Sequence, residues 1–204
     1  MARKLIEPKV ALATRNAGKL RELRHLLSGC GIQAASACEL GLKEVAETER
    51  TFVGNARLKA LDAAESTGLP AIADDSGLEV DALGGEPGVA TADWAAAPDG
   101  RNYRLAMEKV WEALEAINAP EPRKARFCST ICVAWPDGHC EFFEGYASGR
   151  IVWPMRGELG FGFDPIFVPD GFARTFGELE PARKSRISHR ARSIEKFKNG
   201  CLSA

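Results

Sequence analysis

The stretch "VALATRNAGKL" (10–20) decides how the chain is expected to fold. A short apolar run, typical of a buried strand, stops at Thr14, and a polar turn follows. Leucines then recur at helical spacing, which predicts a helix over 18–28 that Asn16 can cap. Because a helix N-terminus carries free backbone N–H groups, this arrangement can hold an anion, with Lys19 as an additional charge.

The same stretch is not the P-loop of nucleoside triphosphatases, G-x-x-x-x-G-K-[ST]. Ala13 stands where that motif has its first glycine, and Leu20 stands where it has a hydroxyl for Mg²⁺. Lys19 falls in the first helical turn, where a purely structural helix favours an acid. A phosphate loop and an ordinary connection with a solvated lysine both remain open.

The rest of the chain predicts a mixed α/β protein, in which strands and helices alternate before a hairpin-rich region. Its 204 residues suffice for one large domain or two small lobes. The predicted strands are 9–14, 33–37, 70–75, two joined at "PDG" within 125–152, and 163–171, and the remaining helices are 51–68, 102–117 and 188–199.

Composition excludes several classes of protein. The net charge of −1 provides no global positive field for a nucleic acid. No apolar run reaches the ~20 residues that span a bilayer, and none near the N-terminus is long enough for a signal peptide, so we expect a cytoplasmic protein. The six cysteines include no C-x-x-C pair, and we interpret Cys128 and Cys132 as buried strand residues without chemistry.

Two adjacent carboxylates in "AIADDSG" (71–77) form a second candidate site. They are predicted to end a buried strand, where an α/β sheet normally opens its active site. Side chains alternate along a strand, so only one of Asp74 and Asp75 is expected to face a given pocket. A Mg²⁺ site, with substrate phosphates as further ligands, is favoured over an Asp-rich turn.

Two later stretches could complete a nucleotide site. In "GELGFGFDPIFVPDG" (157–171), Phe161 or Phe163 could stack on a base, although such rings are more often core residues. In "RKSRISHRAR" (183–192), basic side chains crowd around a helix start at Ser188. A basic cluster is usually a solvated face, but beside a Gly-Phe loop it can line a nucleotide pocket.

In this order the motifs resemble the Ham1/RdgB family of inosine triphosphate pyrophosphatases, from about residue 9 to 197. They are "TRNAGK", "ETERTFVGNA", "ADDSGLEVDALGGEPG", "GFGFDPIF" and "ISHR". The resemblance implies one two-lobed domain over 1–204: an elongated, twisted, mixed sheet flanked by helices, with a cleft between the lobes. It also implies Mg²⁺-dependent hydrolysis of ITP, dITP and XTP to the monophosphate and pyrophosphate, by a homodimer with no nucleic-acid or membrane partner.

The resemblance also implies roles for individual residues. Asp75 matches the general base and a metal ligand, Glu47 matches the other metal carboxylate, and Asp74 is a supporting acid. The implied substrate-binding residues are Thr14, Arg15, Asn16, Ala17, Gly18 and Lys19 for the phosphates, Ser76, then Phe161, Gly162, Phe163 and Asp164 for the base, and Lys184, His189 and Arg190 for the 6-oxo group and its neighbours.

This chain departs from the family pattern at two places. Ala46 precedes Glu47 where many members have a second acid, and Asp93 stands where an arginine is common. Two alternative functions agree less well with these residues. A Maf-like pyrophosphatase is disfavoured by "GFGFDP" and "ISHR", and a nucleotide sensor without turnover would be expected to lack Glu47 and Asp75.

Overall fold

The computed structural model describes residues 2–202 and confirms the mixed α/β class. Its strands are β1 (Lys9–Leu12), β2 (Gln33–Ser36), β3 (Ala71–Val80), β4 (Pro87–Gly88), β5 (Ala96–Ala97), β6 (Gly100–Arg101), β7 (Lys124–Ala134), β8 (Cys140–Ile151) and β9 (Phe167–Pro169). Its α-helices are α1 (Ala17–Ser28), α2 (Phe52–Thr67), α3 (Thr91–Trp94), α4 (Tyr103–Ala116), α5 (Pro181–Ile187) and α6 (His189–Phe197), with short helical turns at Asp81–Leu83, Asp164–Ile166, Phe176–Glu178 and Lys198–Leu202.

Seven of the described strands form one mixed sheet in the order β2-β1-β3-β7-β8-β9, with β4 paired to β3. Strand β1 runs parallel to β2 and β3, whereas β4 and β9 pair antiparallel to their neighbours. Strands β7 and β8 are neighbours joined by a tight turn in which Trp135 N donates to His139 O at 3.0 Å. The hairpin predicted at "PDG" is therefore confirmed.

The helix ends follow the cap residues in the sequence. Asn16, Thr51 and Asn102 cap α1, α2 and α4, each accepting a hydrogen bond from a backbone N–H of the first turn. Gly68 ends α2 with φ of 67°, a left-handed conformation that glycine adopts without steric cost. The predicted helices are confirmed to within a few residues at each end.

Two details of the predicted secondary structure are wrong. The strand expected to stop at Asp75 continues to Val80, because Leu78 and Val80 are fully buried and continue the buried strand past the carboxylates. The two acids therefore lie in mid-strand, and neither belongs to a turn. Helix α5 was not predicted; its seven residues begin with Pro181, which suits the first helical position.

The chain divides into two compact units. The first unit comprises the described residues up to Asp75, Thr130–Glu144 and those from Ser193 on, and the second comprises Ser76–Ser129 and Gly145–Arg192. Each unit buries hydrophobic clusters of its own: one is centred on Phe127, Phe163, Phe167 and Phe176 in the second unit, and another includes Leu12, Leu27, Ile72, Trp135 and Phe197 in the first. No helix within residues 2–202 is long and apolar enough to cross a membrane.

An alanine-rich contact fixes helix α2 in the first unit. Ala56, Ala60 and Ala63 recur at helical spacing and pack with Ala11 and Ala73 of the strands in a fully buried cluster. Small side chains let helix and strands approach closely. The contact therefore sets where the polar residues of α2 stand relative to β3.

Candidate active site

The loop between β1 and α1 has the capped geometry expected from its sequence. Asn16 Oδ1 accepts hydrogen bonds from Gly18 N at 2.9 Å and Lys19 N at 3.1 Å, and Thr14 Oγ1 accepts one from Asn16 N at 3.3 Å. The first turn of α1 carries no acid that would oppose a bound anion. Arg15 turns to Leu42, whose carbonyl oxygen accepts from its guanidinium at 2.8 Å.

Lys19 is paired with the first acid of β3. Its Nζ lies 2.5 Å from Asp74 Oδ2, and the two side chains are 16% and 6% exposed. The pair places a cation beside the capped loop and neutralises a carboxylate that would otherwise repel phosphate.

The second acid of β3 meets a different lysine. Lys59 Nζ of α2 lies 2.5 Å from Glu47 Oε1 and 3.7 Å from Asp75 Oδ1. Asp74 and Asp75 thus contact separate cations, as the alternation of side chains along a strand requires. Glu47 and Asp75, which are far apart in sequence, converge on one ammonium group.

A buried amide orients Asp75. Asn55 is 1% exposed; its Oδ1 accepts from Glu49 N at 3.0 Å, and its side chain hydrogen bonds to Asp75. No role was predicted for Asn55 or Lys59 from the sequence. The available signal was their spacing: two polar residues four apart on a helix with several buried alanines share one face.

Burial and charge shift the pKa values in this cluster. Desolvation raises the pKa of Asp75 from 3.8 to about 6, against the lowering effect of the Lys59 charge, and Glu47 adds to the rise. Desolvation lowers the pKa of Lys59, but the charges of Asp75 and Glu47 outweigh it and the net shift is upward. At neutral pH the ammonium is therefore protonated and Asp75 is largely ionised.

The donor set fits Mg²⁺ better than a metal held by protein ligands alone. Across residues 2–202 there is no cluster of three or more His, Cys, Asp or Glu side chains with metal-binding geometry. Mg²⁺ needs fewer, since one or two carboxylates plus substrate phosphates commonly bind it. Glu47 and Asp75 both contact the same ammonium group, so they are two carboxylates that one Mg²⁺ ion could share.

The second unit contains the aromatic and basic residues predicted for a base pocket. Phe161 is 59% exposed, unlike the other large aromatic residues of its loop. Lys184 Nζ lies 4.4 Å and Arg190 Cζ 5.7 Å from the Phe161 ring centroid. Lys184 is also ion-paired with Asp164, which is 2% exposed.

Backbone geometry brings Asp164 against its own loop. Asp164 Oδ2 accepts from Phe161 N at 2.7 Å, and a Cβ at Gly160, whose φ is +81°, would lie 2.1 Å from that oxygen. Only glycine fits there, so the loop shape depends on it. Burial raises the pKa of Asp164, although the Lys184 charge opposes the shift.

Two of the predicted base-site residues, Phe163 and His189, are buried. Phe163 is 1% exposed and packs edge-on against Tyr103, with ring centroids 6.0 Å apart, so it belongs to the core cluster. His189 is 6% exposed and stacks on Phe127 at 4.9 Å. Gly162 adopts φ of +66°, and the roles of all three in substrate binding stay predictions.

Fold and local geometry together define a class of α/β protein. In its first unit, two strand carboxylates pair with lysines beside a capped helix N-terminus. Its second unit exposes an aromatic ring among basic groups. The Ham1 family model matches residues 10–200. The chain is 56% identical over 94% of its length to the dITP/XTP pyrophosphatase of Ruegeria pomeroyi, covering 94% of that protein. It is 51% identical over 99% of its length to the enzyme of the same name from Rhizobium meliloti, covering all of it.

A solved structure of a Ham1 protein has the same fold as this chain. A Ham1 protein from Coxiella burnetii matches with a TM-score of 0.89 and 37% identity, over 95% of this chain and 98% of that one. The chain belongs to the Ham1 family.

Proposed function

We propose that the chain hydrolyses the non-canonical purine nucleoside triphosphates ITP, dITP and XTP to the nucleoside monophosphate and pyrophosphate. The observation that carries the proposal is the convergence of Glu47 and Asp75 on Lys59, next to the Lys19–Asp74 pair at the capped loop. Relatives named dITP/XTP pyrophosphatase, about half identical over nearly the whole chain, support the substrate class.

Asp75 is the proposed general base. Its pKa of about 6 leaves it ionised at neutral pH, yet high enough to accept a proton from water. The hydrogen bond from Asn55 fixes the orientation of the carboxylate while it waits for substrate. A positioned base of this kind is worth about 10²–10⁴ in rate.

We further propose Mg²⁺ as the cofactor, held by Glu47 and Asp75 with the phosphates as remaining ligands. When bound, the ion supplies charge neutralisation to the phosphate oxygens. Lys19 and the capped loop around Asn16 hold the phosphates, and Thr14, Arg15, Ala17, Gly18 and Ser76 are proposed to line the same part of the substrate.

Base selection is proposed to come from the second unit. Inosine and xanthosine carry an acceptor oxygen at C6, where adenine carries an amino donor. Lys184, His189 and Arg190 supply donors, Phe161 supplies an exposed ring for stacking, and Asp164 holds Lys184 in place. Each donor left buried and unpaired against adenine costs about 1–3 kcal/mol, so two give roughly 10²–10⁴ discrimination.

The family resemblance supports three further proposals. The two units form one catalytic domain, the protein acts in the cytoplasm, and it is a homodimer. Sedimentation at micromolar concentration tests the oligomeric state, and a monomer would contradict it.

Substrate competition tests the proposed function. We expect kcat/KM for ITP and XTP to exceed that for ATP by at least about 10², from the two unpaired donors. Equal kcat/KM values for ITP and ATP would reject the proposed base selection.

A further inference from the structure

We propose that Lys59 is a built-in counter-cation: it holds Glu47 and Asp75 together in the free protein and competes with the divalent metal for them. This inference rests on the proposed function of the same site. Lys59 then has a positioning role, because it acts through the two carboxylates. Tight binding of the metal then depends on the nucleotide.

The first step is the geometry of the contact. Lys59 Nζ lies 2.5 Å from Glu47 Oε1 and 3.7 Å from Asp75 Oδ1, so one ammonium bridges both acids. Only 15% of the Lys59 side chain is exposed, against 42% for Glu47. The buried contact between α2 and the strands fixes the backbone at Lys59, and this holds its ammonium group at the two carboxylates.

The second step is charge. Two carboxylates and one ammonium leave a single negative charge at the place where a divalent ion would bind. The neighbouring Lys19–Asp74 pair adds none. Because like charges repel and a partly buried pair is screened less than an exposed one, the ammonium opposes a dication that binds to the same carboxylates.

Nucleotide binding changes this balance. A triphosphate brings several negative charges and additional oxygen ligands, which offset the repulsion from Lys59. We therefore expect the free protein to bind divalent ions weakly and to take up the metal together with the nucleotide.

The test measures Mn²⁺ affinity by electron paramagnetic resonance, with the free full-length chain and no nucleotide. Lys59→Gln should bind Mn²⁺ at least about tenfold more tightly than wild type, whereas Lys59→Arg, which keeps the charge, should stay within about threefold. Lys9→Gln removes an equal charge from an exposed strand residue and should leave the affinity unchanged. Adding Asp75→Asn to Lys59→Gln should abolish the gain, which locates the bound ion at this cluster.

Thermal unfolding in EDTA provides a second readout. Lys59→Gln should melt below wild type because Glu47 and Asp75 then lose their shared ammonium. In parallel samples without EDTA, Mn²⁺ should restore more stability to Lys59→Gln than to wild type. Equal or weaker Mn²⁺ affinity in Lys59→Gln would overturn the counter-cation role, while ITP hydrolysis by wild type would stand. Absence of Mn²⁺ binding in every nucleotide-free variant would also overturn the inference, whereas absence of Mn²⁺ binding in the presence of nucleotide as well would overturn the metal assignment.

Discussion

Replacing Asp75 with asparagine should make the protein more stable and nearly inactive. The substitution keeps the size of the side chain and removes its charge. Asp75 is 6% exposed, and burial raises its pKa to about 6. Because the folded protein binds this proton more tightly than the unfolded chain, ionised Asp75 costs stability above pH 6, and the cost vanishes below about pH 3.8.

The size of the gain follows from the pKa. A rise from 3.8 to about 6 corresponds to about 3 kcal/mol of destabilisation at neutral pH. For a chain of this length that is roughly 6–12 °C in Tm. Asp75→Asn removes the proton acceptor at the same time, so kcat should fall by about 10² or more.

Melting curves of the metal-free protein at pH 7 and pH 4, together with ITP hydrolysis at pH 7, check both effects. The stabilisation should be present at pH 7 and largely lost at pH 4. Asp74→Asn is the matched control, since Asp74 is equally buried but contacts Lys19, and it should retain more activity than Asp75→Asn. Lower stability of Asp75→Asn at pH 7, or a crippled Asp74→Asn beside a near-normal Asp75→Asn, would refute the reasoning.

Three further substitutions test other parts of the site. Asn16→Ala and its control Asn102→Ala each remove a helix cap, so each should lower the free energy of unfolding in urea by about 1 kcal/mol. Only Asn16→Ala should raise KM for ITP. Equal KM values in the two variants would contradict a phosphate loop at α1. Phe161→Ala should raise KM for ITP roughly tenfold with little loss of stability, because stacking of a base on an aromatic ring is worth about 1–3 kcal/mol. As a control, replacing the exposed Phe142 with alanine should leave KM unchanged. A normal KM in Phe161→Ala would exclude stacking. Arg190→Ala should narrow the ratio of ITP to ATP turnover by weakening ITP, and an unchanged ratio would remove Arg190 from base selection.

Local patterns predicted most of the fold. Asn16 was expected to cap α1, and the helix predicted over 51–68 was expected to end at Gly68; the structure places both residues at helix ends. The continuation of β3 beyond Asp75 was missed because two adjacent acids usually signal a turn. Here lysines from two separate helices neutralise them, and the strand can continue.

The sequence predicted the site only in part, because the lysines that pair with its acids lie on separate helices. The family resemblance implied roles for Asp75 and Glu47, but their shared partner lies on α2. The alanine packing of that helix brings Lys59 to the strand. Phe161 and Phe163 are alternate residues of one motif, and the sequence did not separate their environments. The structure does, because Phe163 fills the core and Phe161 remains exposed.

Product identity is the most direct test of the central claim. Phosphorus NMR of ITP incubated with the wild-type protein and Mg²⁺ resolves the products as they form. Hydrolysis that releases pyrophosphate should give IMP and pyrophosphate in equal amounts, with no IDP at any time. Accumulation of IDP and orthophosphate as the first products would show cleavage at the terminal phosphate and contradict the account.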